Sequence, residues 1–135
     1  MAKNKIKAKN RKESGSFSLI PHTVTNSENY RSLSAKAVKL LIDTIARYNG
    51  SNNGDFDYSY KNMRKWGWNS NDTILKAKNE LLLKGWLVLT RQGGRNKCNL
   101  YALTIWSIDE CHGKLDRSAT KTALAYWKKG INPEN

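Results

Sequence analysis

Histidine and cysteine are nearly missing from this chain, with two of each in 135 residues. His22 and His112 stand far apart, and Cys98 and Cys111 have neither CxxC spacing nor the four-ligand company of a zinc site. Cys111-His112 is the nearest approach to a metal pair. The expectation is two free thiols in a reducing compartment, with no metal and no cofactor. A phosphate-cradling P-loop is also missing, as is any Ser-His-Asp or Cys-His set with supporting residues, so no enzyme activity is expected. Asp55 and Asp57 are close in sequence, but a loop beside a short strand accounts for them.

Long apolar runs are absent too. None approaches the roughly 20 residues that a bilayer crossing requires. No apolar segment follows the basic start, as a secretory signal would demand. These absences predict a cytoplasmic protein with no membrane partner and no small-molecule substrate.

Acids are the scarcest class relative to their opposites: 11 Asp and Glu face 24 Lys and Arg, a net charge of +13. Such a balance selects polyanionic partners, nucleic acid first. Its distribution is informative. Lys3, Lys5, Lys7, Lys9, Arg11 and Lys12 open the chain without an intervening acid. From Leu81 to Ile108 no acid occurs, while Lys84, Arg91, Arg95 and Lys97 lie inside that stretch. A merely solvated surface mixes both signs.

Three parts are expected. Residues 1–16 read as a disordered basic arm closed by Ser14-Gly15-Ser16. Residues 17–106 carry the folded domain. Residues 107–135 read as a helical extension, with short helices around Ile108–Lys114 and Thr120–Lys128. Within the domain, residues 17–33 are expected to be irregular or extended, since Pro21 argues against a helix. Ser34 is a good N-cap for a helix whose apolar positions are Val38, Leu41, Ile42, Ile45 and Tyr48, with Leu33 as a staple. The run Asn49-Gly50-Ser51-Asn52-Asn53-Gly54 is a loop, and Asp55–Tyr58 a short strand. Ser59 then caps a helix over Tyr60–Trp66 that Gly67 ends. Ser70 caps the next, which runs to about Lys84 with Gly85 beyond it. A β-hairpin follows, Trp86–Thr90 and Asn99–Ile105, with Gly93-Gly94 supplying positive φ at its tip.

Helix, short strand, helix, turn, helix, hairpin is the order of a winged helix-turn-helix: α+β, mainly α, a three-helix core plus a hairpin wing. In the helix after the turn, Ile74, Ala77 and Leu81 should face inward, with Trp86 and Val88 continuing the core. Asn71, Asp72, Thr73, Leu75, Lys76 and Asn79 then face out. Such a helix enters the major groove N-terminus first. Asn pairs bidentately with adenine, Lys reaches guanine, and Thr or Leu touches a thymine methyl. The candidates for contact with double-stranded DNA are therefore Asn69, Ser70, Asn71, Thr73, Lys76 and Asn79 on this helix. On the wing they are Arg91, Gln92, Arg95, Asn96 and Lys97, and on the arm the six cations above. Trp66 and Trp86 read as core, while Trp68 is open between core and stacking platform. Leu82, Leu83, Tyr126 and Trp127 are spare apolar residues available to a homodimer.

The helix from Ser34 to Asn49, the Asn52-Asn53-Gly54 loop and Gly67-Trp68-Asn69-Ser70-Asn71-Asp72-Thr73 also carry a resemblance. So do Thr90-Arg91-Gln92-Gly93-Gly94, Leu100-Tyr101-Ala102-Leu103-Thr104, Ile108-Asp109-Glu110-Cys111 and Gly113-Lys114-Leu115. Together they resemble a group of small winged-helix proteins from phages, plasmids and integrative elements of proteobacteria, over residues 17–116. The likeness to DNA-binding domains of phage replication proteins is looser. The resemblance implies a winged-helix fold in a mobile-element setting and no catalytic residues. Three roles stay open: transcription regulation of a phage or element operon, replication initiation at origin repeats, and a protein-interaction winged helix that inhibits host defence.

Overall fold

The computed structural model describes residues 15–135; the arm candidates Lys3, Lys5, Lys7, Lys9, Arg11 and Lys12 lie outside the described residues. In chain order the structure forms α1 (His22–Thr25), α2 (Glu28–Ser32), α3 (Ala35–Arg47), α4 (Tyr60–Met63), α5 (Asn71–Leu83), β1 (Leu87–Arg91) and β2 (Leu100–Leu103). A 3-10 turn, Arg64–Trp66, extends α4, and two more, Cys111–Gly113 and Tyr126–Lys128, lie in the C-terminal segment. Over the described residues the fold is α+β and mainly helical, with one antiparallel hairpin.

Residues 17–33 are not irregular throughout, because α1 and α2 occupy most of them. Pro21 does not prevent α1. It stands at the N-cap with φ −62°, where its missing N–H breaks no helical bond. Ser27 caps α2 through the Tyr30 N–H.

α3 begins as its sequence predicts, with the Ser34 side chain accepting from the Ala37 N–H. Its buried face is rotated from the expected stripe: Ala37, Leu40, Leu41, Thr44 and Ile45 are inside, while Val38 and Ile42 are half-buried. Tyr48 lies past the helix end as its C-cap. A polar residue enters the core here because the Thr44 hydroxyl donates to the Leu40 carbonyl at 2.8 Å, and the Tyr58 hydroxyl lies 2.8 Å from it.

The strand expected at Asp55–Tyr58 is reduced to one bridge, Phe56 to Tyr101 on β2. Ser59 and Ser70 cap α4 and α5, and Gly67 (φ +87°) turns the chain between them. Ile74, Ala77 and Leu81 are buried on α5, as are Trp86 and Val88 beyond it. Trp66 is a correction: it stands 37% exposed at the end of the 3-10 turn. Trp68 takes the core place instead, 3% exposed, with its indole N–H donating to Asp43 at 2.8 Å.

β1 and β2 pair in register from Leu87–Leu103 to Leu89–Tyr101, with a bulge before Arg91–Leu100. The tip is built differently from the expectation. Neither Gly93 nor Gly94 has positive φ; Asn96 does, at +58°. Gly93 is required by crowding, since a Cβ there would run into the Lys97 carbonyl and the Asn99 amide.

The expected C-terminal helices are also absent. Residues 107–135 carry the two 3-10 turns and left-handed backbone at Cys111, His112 and Ala125. Several of their amide donors go to distant parts of the fold rather than to a local helical turn. Asp109 donates to the Asn53 carbonyl, Asp116 to Thr90, and Ala125 to Thr104, at 2.9, 2.8 and 2.8 Å. The segment covers the outer face of the hairpin, where Val88, Ala102 and Ile108 pack with Leu115, Leu124 and Tyr126. Trp127 crosses into the main core and stacks on Trp86, ring centroids 5.3 Å apart. Of the residues assigned to a dimer seam, Trp127 is therefore core, Leu82 and Tyr126 are half-buried, and Leu83 is 63% exposed. Cys98 is an exposed free thiol and Cys111 a buried one. No helix among the described residues is long and apolar enough to cross a membrane.

Candidate nucleic-acid interface

Asn69, Ser70 and Asn71 are exposed at the N-terminal turn of α5. Ser70 is committed to capping, because its hydroxyl accepts the Thr73 N–H at 3.3 Å, and Thr73 itself is half-buried. Leu75, Lys76 and Asn79 are exposed further along. Lys76 lies 3.1 Å from Asp72, four residues earlier, with both side chains at least 70% exposed. A pair so open to water is weak and releases readily. The outer face of α5 is thus electrically balanced, one acid against one cation, and otherwise amide and apolar.

Arg91 is less free than its sequence position suggests. Its Nη2 donates to the Cys98 carbonyl at 2.7 Å, closing the base of the hairpin tip. Gln92 is exposed, and its backbone N–H donates to the Asp116 carboxylate at 2.8 Å. Arg95, Asn96 and Lys97 are exposed, in the turn closed by the Gly94–Lys97 bridge.

The first turn of α4 joins these two sets, and sequence reasoning missed it. The Tyr60 hydroxyl donates to the Asn69 carbonyl at 3.2 Å, tying α4 to the start of α5. On its other side a groove of about 490 Å³ separates Ser59, Lys61 and Asn62 from Arg91, Asn96 and Lys97. The Arg64 guanidinium lies 5.6 Å from the Tyr60 ring centroid. Lys61, Arg64 and Lys65 are all exposed. The available signal was their clustering just before the Gly67 turn.

Charge pairing sharpens the picture. Six ion pairs form among the described residues: Lys39–Asp43, Arg47–Asp57, Lys76–Asp72, Lys84–Glu80, Lys114–Asp55 and Arg117–Glu134. Lys61, Arg64, Lys65, Lys78, Arg91, Arg95 and Lys97 take part in none of them. The other cations outside these pairs, Arg31, Lys36, Lys121, Lys128 and Lys129, are spread over α2, α3 and the C-terminal segment. Asp57 beneath the groove is fully engaged. Burial alone would raise its carboxyl, but hydrogen bonds from Ser59 and Asn62 and the Arg47 charge outweigh that and hold it low. Among the described residues no group of three or more His, Cys, Asp or Glu is placed to hold a metal ion.

No protein-family model, curated protein or solved structure matches this chain.

Proposed function

We propose that the chain is a winged helix-turn-helix protein that binds double-stranded DNA sequence-specifically and performs no chemistry of its own. α5 is then the recognition helix and the β1–β2 hairpin the wing. One observation carries this reading: an exposed, electrically balanced α5 face follows Asn69, which Tyr60 ties to α4, while a groove sets Lys61 of α4 against Arg91 and Lys97 of the hairpin, cations with no acidic partner among the described residues. A helix reading base edges needs hydrogen-bonding and apolar groups, while its neighbours need charge for the phosphates. The separation of these two kinds of surface follows that division of labour. With the resemblance to mobile-element proteins, the role we favour is transcription regulation in a phage or related element.

Selection of bound duplexes from a random library tests this. Enrichment of a defined site, lost on scrambling, is expected. An inverted repeat marks a dimeric regulator, and tandem repeats mark replication initiation. No enrichment at physiological salt overturns the reading in favour of a protein partner.

A further inference from the structure

Resting on that DNA-binding reading, we infer that the groove between the first turn of α4 and the base of the hairpin seats one backbone phosphodiester of the duplex, held by Lys61, Lys97 and Arg91. The groove has room for a phosphodiester with parts of its flanking sugars. Three cations border it, and none has a carboxylate within ion-pair distance among the described residues. The acid that also borders it does not neutralise them. Asp57 Oδ1 accepts from Arg47 and Asn62 at 3.3 and 2.9 Å, and Oδ2 from the Ser59 amide and hydroxyl at 3.1 and 2.7 Å. Its charge is thereby answered by Arg47 from the far side.

Arg91 is set in advance. Its Nη2 is fixed on the Cys98 carbonyl, and the half-buried side chain borders the groove. A guanidinium held in place by one nitrogen is oriented in advance for an anionic oxygen. Ser59 on the groove wall adjoins Tyr60, whose hydroxyl donates to the Asn69 carbonyl just before α5. It is lined by no aromatic ring on which a free nucleotide base would stack. A phosphate within a continuous strand fits it better than a small anion, because the strand can run on past α5.

The test is the salt dependence of duplex binding by the full chain. Lys61 and Lys97 make no side-chain hydrogen bond among the described residues, so Lys61→Ala and Lys97→Ala leave the fold intact. Each phosphate contact contributes about 0.9 to the slope of log K against log salt. Each single variant should lower the slope by up to that amount, and the double variant by more than either. Lys121→Ala, an exposed cation on the C-terminal segment, should leave it unchanged. Unaltered slopes in both single variants and in the double variant, with duplex binding retained, overturn the seat alone. An equal loss for Lys121→Ala also overturns it, by showing that any surface charge serves. If the wild-type chain binds no duplex at low salt, the DNA-binding reading fails and the seat with it.

Discussion

Glu80, near the end of α5, completes the cap of α3. Its Oε2 accepts the Ser34 amide N–H at 2.8 Å and its Oε1 the Ser34 hydroxyl at 2.6 Å. Ser34 Oγ in turn accepts the Ala37 N–H at 3.2 Å. One carboxylate, 46 residues along the chain, thus ties the start of one helix to the last turns of another. Lys84 adds a weaker contact to the same carboxylate at 3.4 Å.

Glu80→Ala should therefore cost about 1.5–3 kcal/mol, the range for hydrogen bonds to a charged group. Glu80→Gln, which keeps one acceptor, should cost less. Urea unfolding at pH 7 measures both. Burial would raise the Glu80 carboxyl, but the Ser34 hydrogen bonds and Lys84 hold it below its ordinary 4.5. Its contribution is then full above that value and lost as pH falls through the lower folded value. The difference between wild type and Glu80→Gln should shrink over that acid window. A difference independent of pH would show that the carboxylate charge is irrelevant.

Asn53 is fully buried in what reads as an exposed polar loop. Its Nδ2 faces the carbonyls of Leu103, Trp106 and Ser107 at 3.0, 3.1 and 2.9 Å, and its Oδ1 accepts the Leu103 N–H at 2.8 Å. Asn53→Leu keeps the volume and leaves those groups unanswered, for an expected loss of about 2–4 kcal/mol. Asn53→Asp sets a carboxylate against three carbonyls, so it should be less destabilising at pH 4 than at pH 7. Denaturant midpoints at the two pH values check this. Equal midpoints for Asn53→Leu and wild type would remove Asn53 from the fold's support.

Much of this architecture was legible because its signals are local. Ser34, Ser59 and Ser70 each cap the helix that follows, and Gly67 and Gly85 each take positive φ where a helix ends. Ile74, Ala77 and Leu81 face inward because a 3.6-residue period leaves them no other side. What failed depends on distant partners. Nothing near residue 53 announces that a carboxamide will meet the end of β2. In the segment after Ile108, the amides of Asp109, Asp116 and Ala125 find acceptors at Asn53, Thr90 and Thr104, and these distant ties limit its helical pattern to short 3-10 turns. Trp66 reads as core but turns outward at the end of the 3-10 turn, and Trp68, left open by the sequence, takes the core place. In the candidate interface, α5 and the hairpin were readable from their sequence, whereas Lys61 and Arg64 gain meaning only from the contacts of Tyr60 and the groove.

The two thiols should differ sharply in reactivity. Cys111 is 6% exposed, and burial, with Asp55 and Asp109 adding to it, pushes its thiol up to about 11. Cys98 is exposed at the hairpin. At pH 8 an aromatic disulfide reagent should titrate one thiol in the folded chain and two in denaturant. Two rapid equivalents without denaturant would mean that the C-terminal segment opens readily.

Under the DNA-binding reading, Leu75 and Asn79 should carry sequence preference. Leu75 is 46% exposed on the outer face of α5, an open position for an apolar side chain and one suited to a thymine methyl. Replacing individual thymines by uracil in the selected site should weaken wild-type binding at one position and leave Leu75→Ala unaffected there. Asn79→Ala should lose about 1–3 kcal/mol of discrimination at one base pair if the amide makes a bidentate contact. Uniform weakening across all sequences by both variants would move α5 out of the groove.

The C-terminal segment gives the last and most decisive test of how the chain is divided. Read from sequence, residues 107–135 are an appendage to a domain that closes near residue 106. The structure makes them a wall of the same core. Asn132 Nδ2 donates to the Leu87 carbonyl at 3.2 Å, Asp116 N–H to Thr90 at 2.8 Å, and Gln92 N–H to the Asp116 carboxylate at 2.8 Å. These contacts occupy the outer edge of β1, which would otherwise present unpaired backbone groups. Trp127 stacks on Trp86 at an interplanar angle of 15°. Trp127→Ala removes that ring from a site 6% exposed and should cost about 3–5 kcal/mol. Such a loss is a large share of the stability of a domain this size. Trp127→Phe keeps part of the stack and should cost less. If the segment were an appendage, both variants would leave the urea midpoint of the main transition in place and add a separate early one. If it is a wall, a single transition moves as a whole, and far-ultraviolet and near-ultraviolet circular dichroism report the same shifted midpoint.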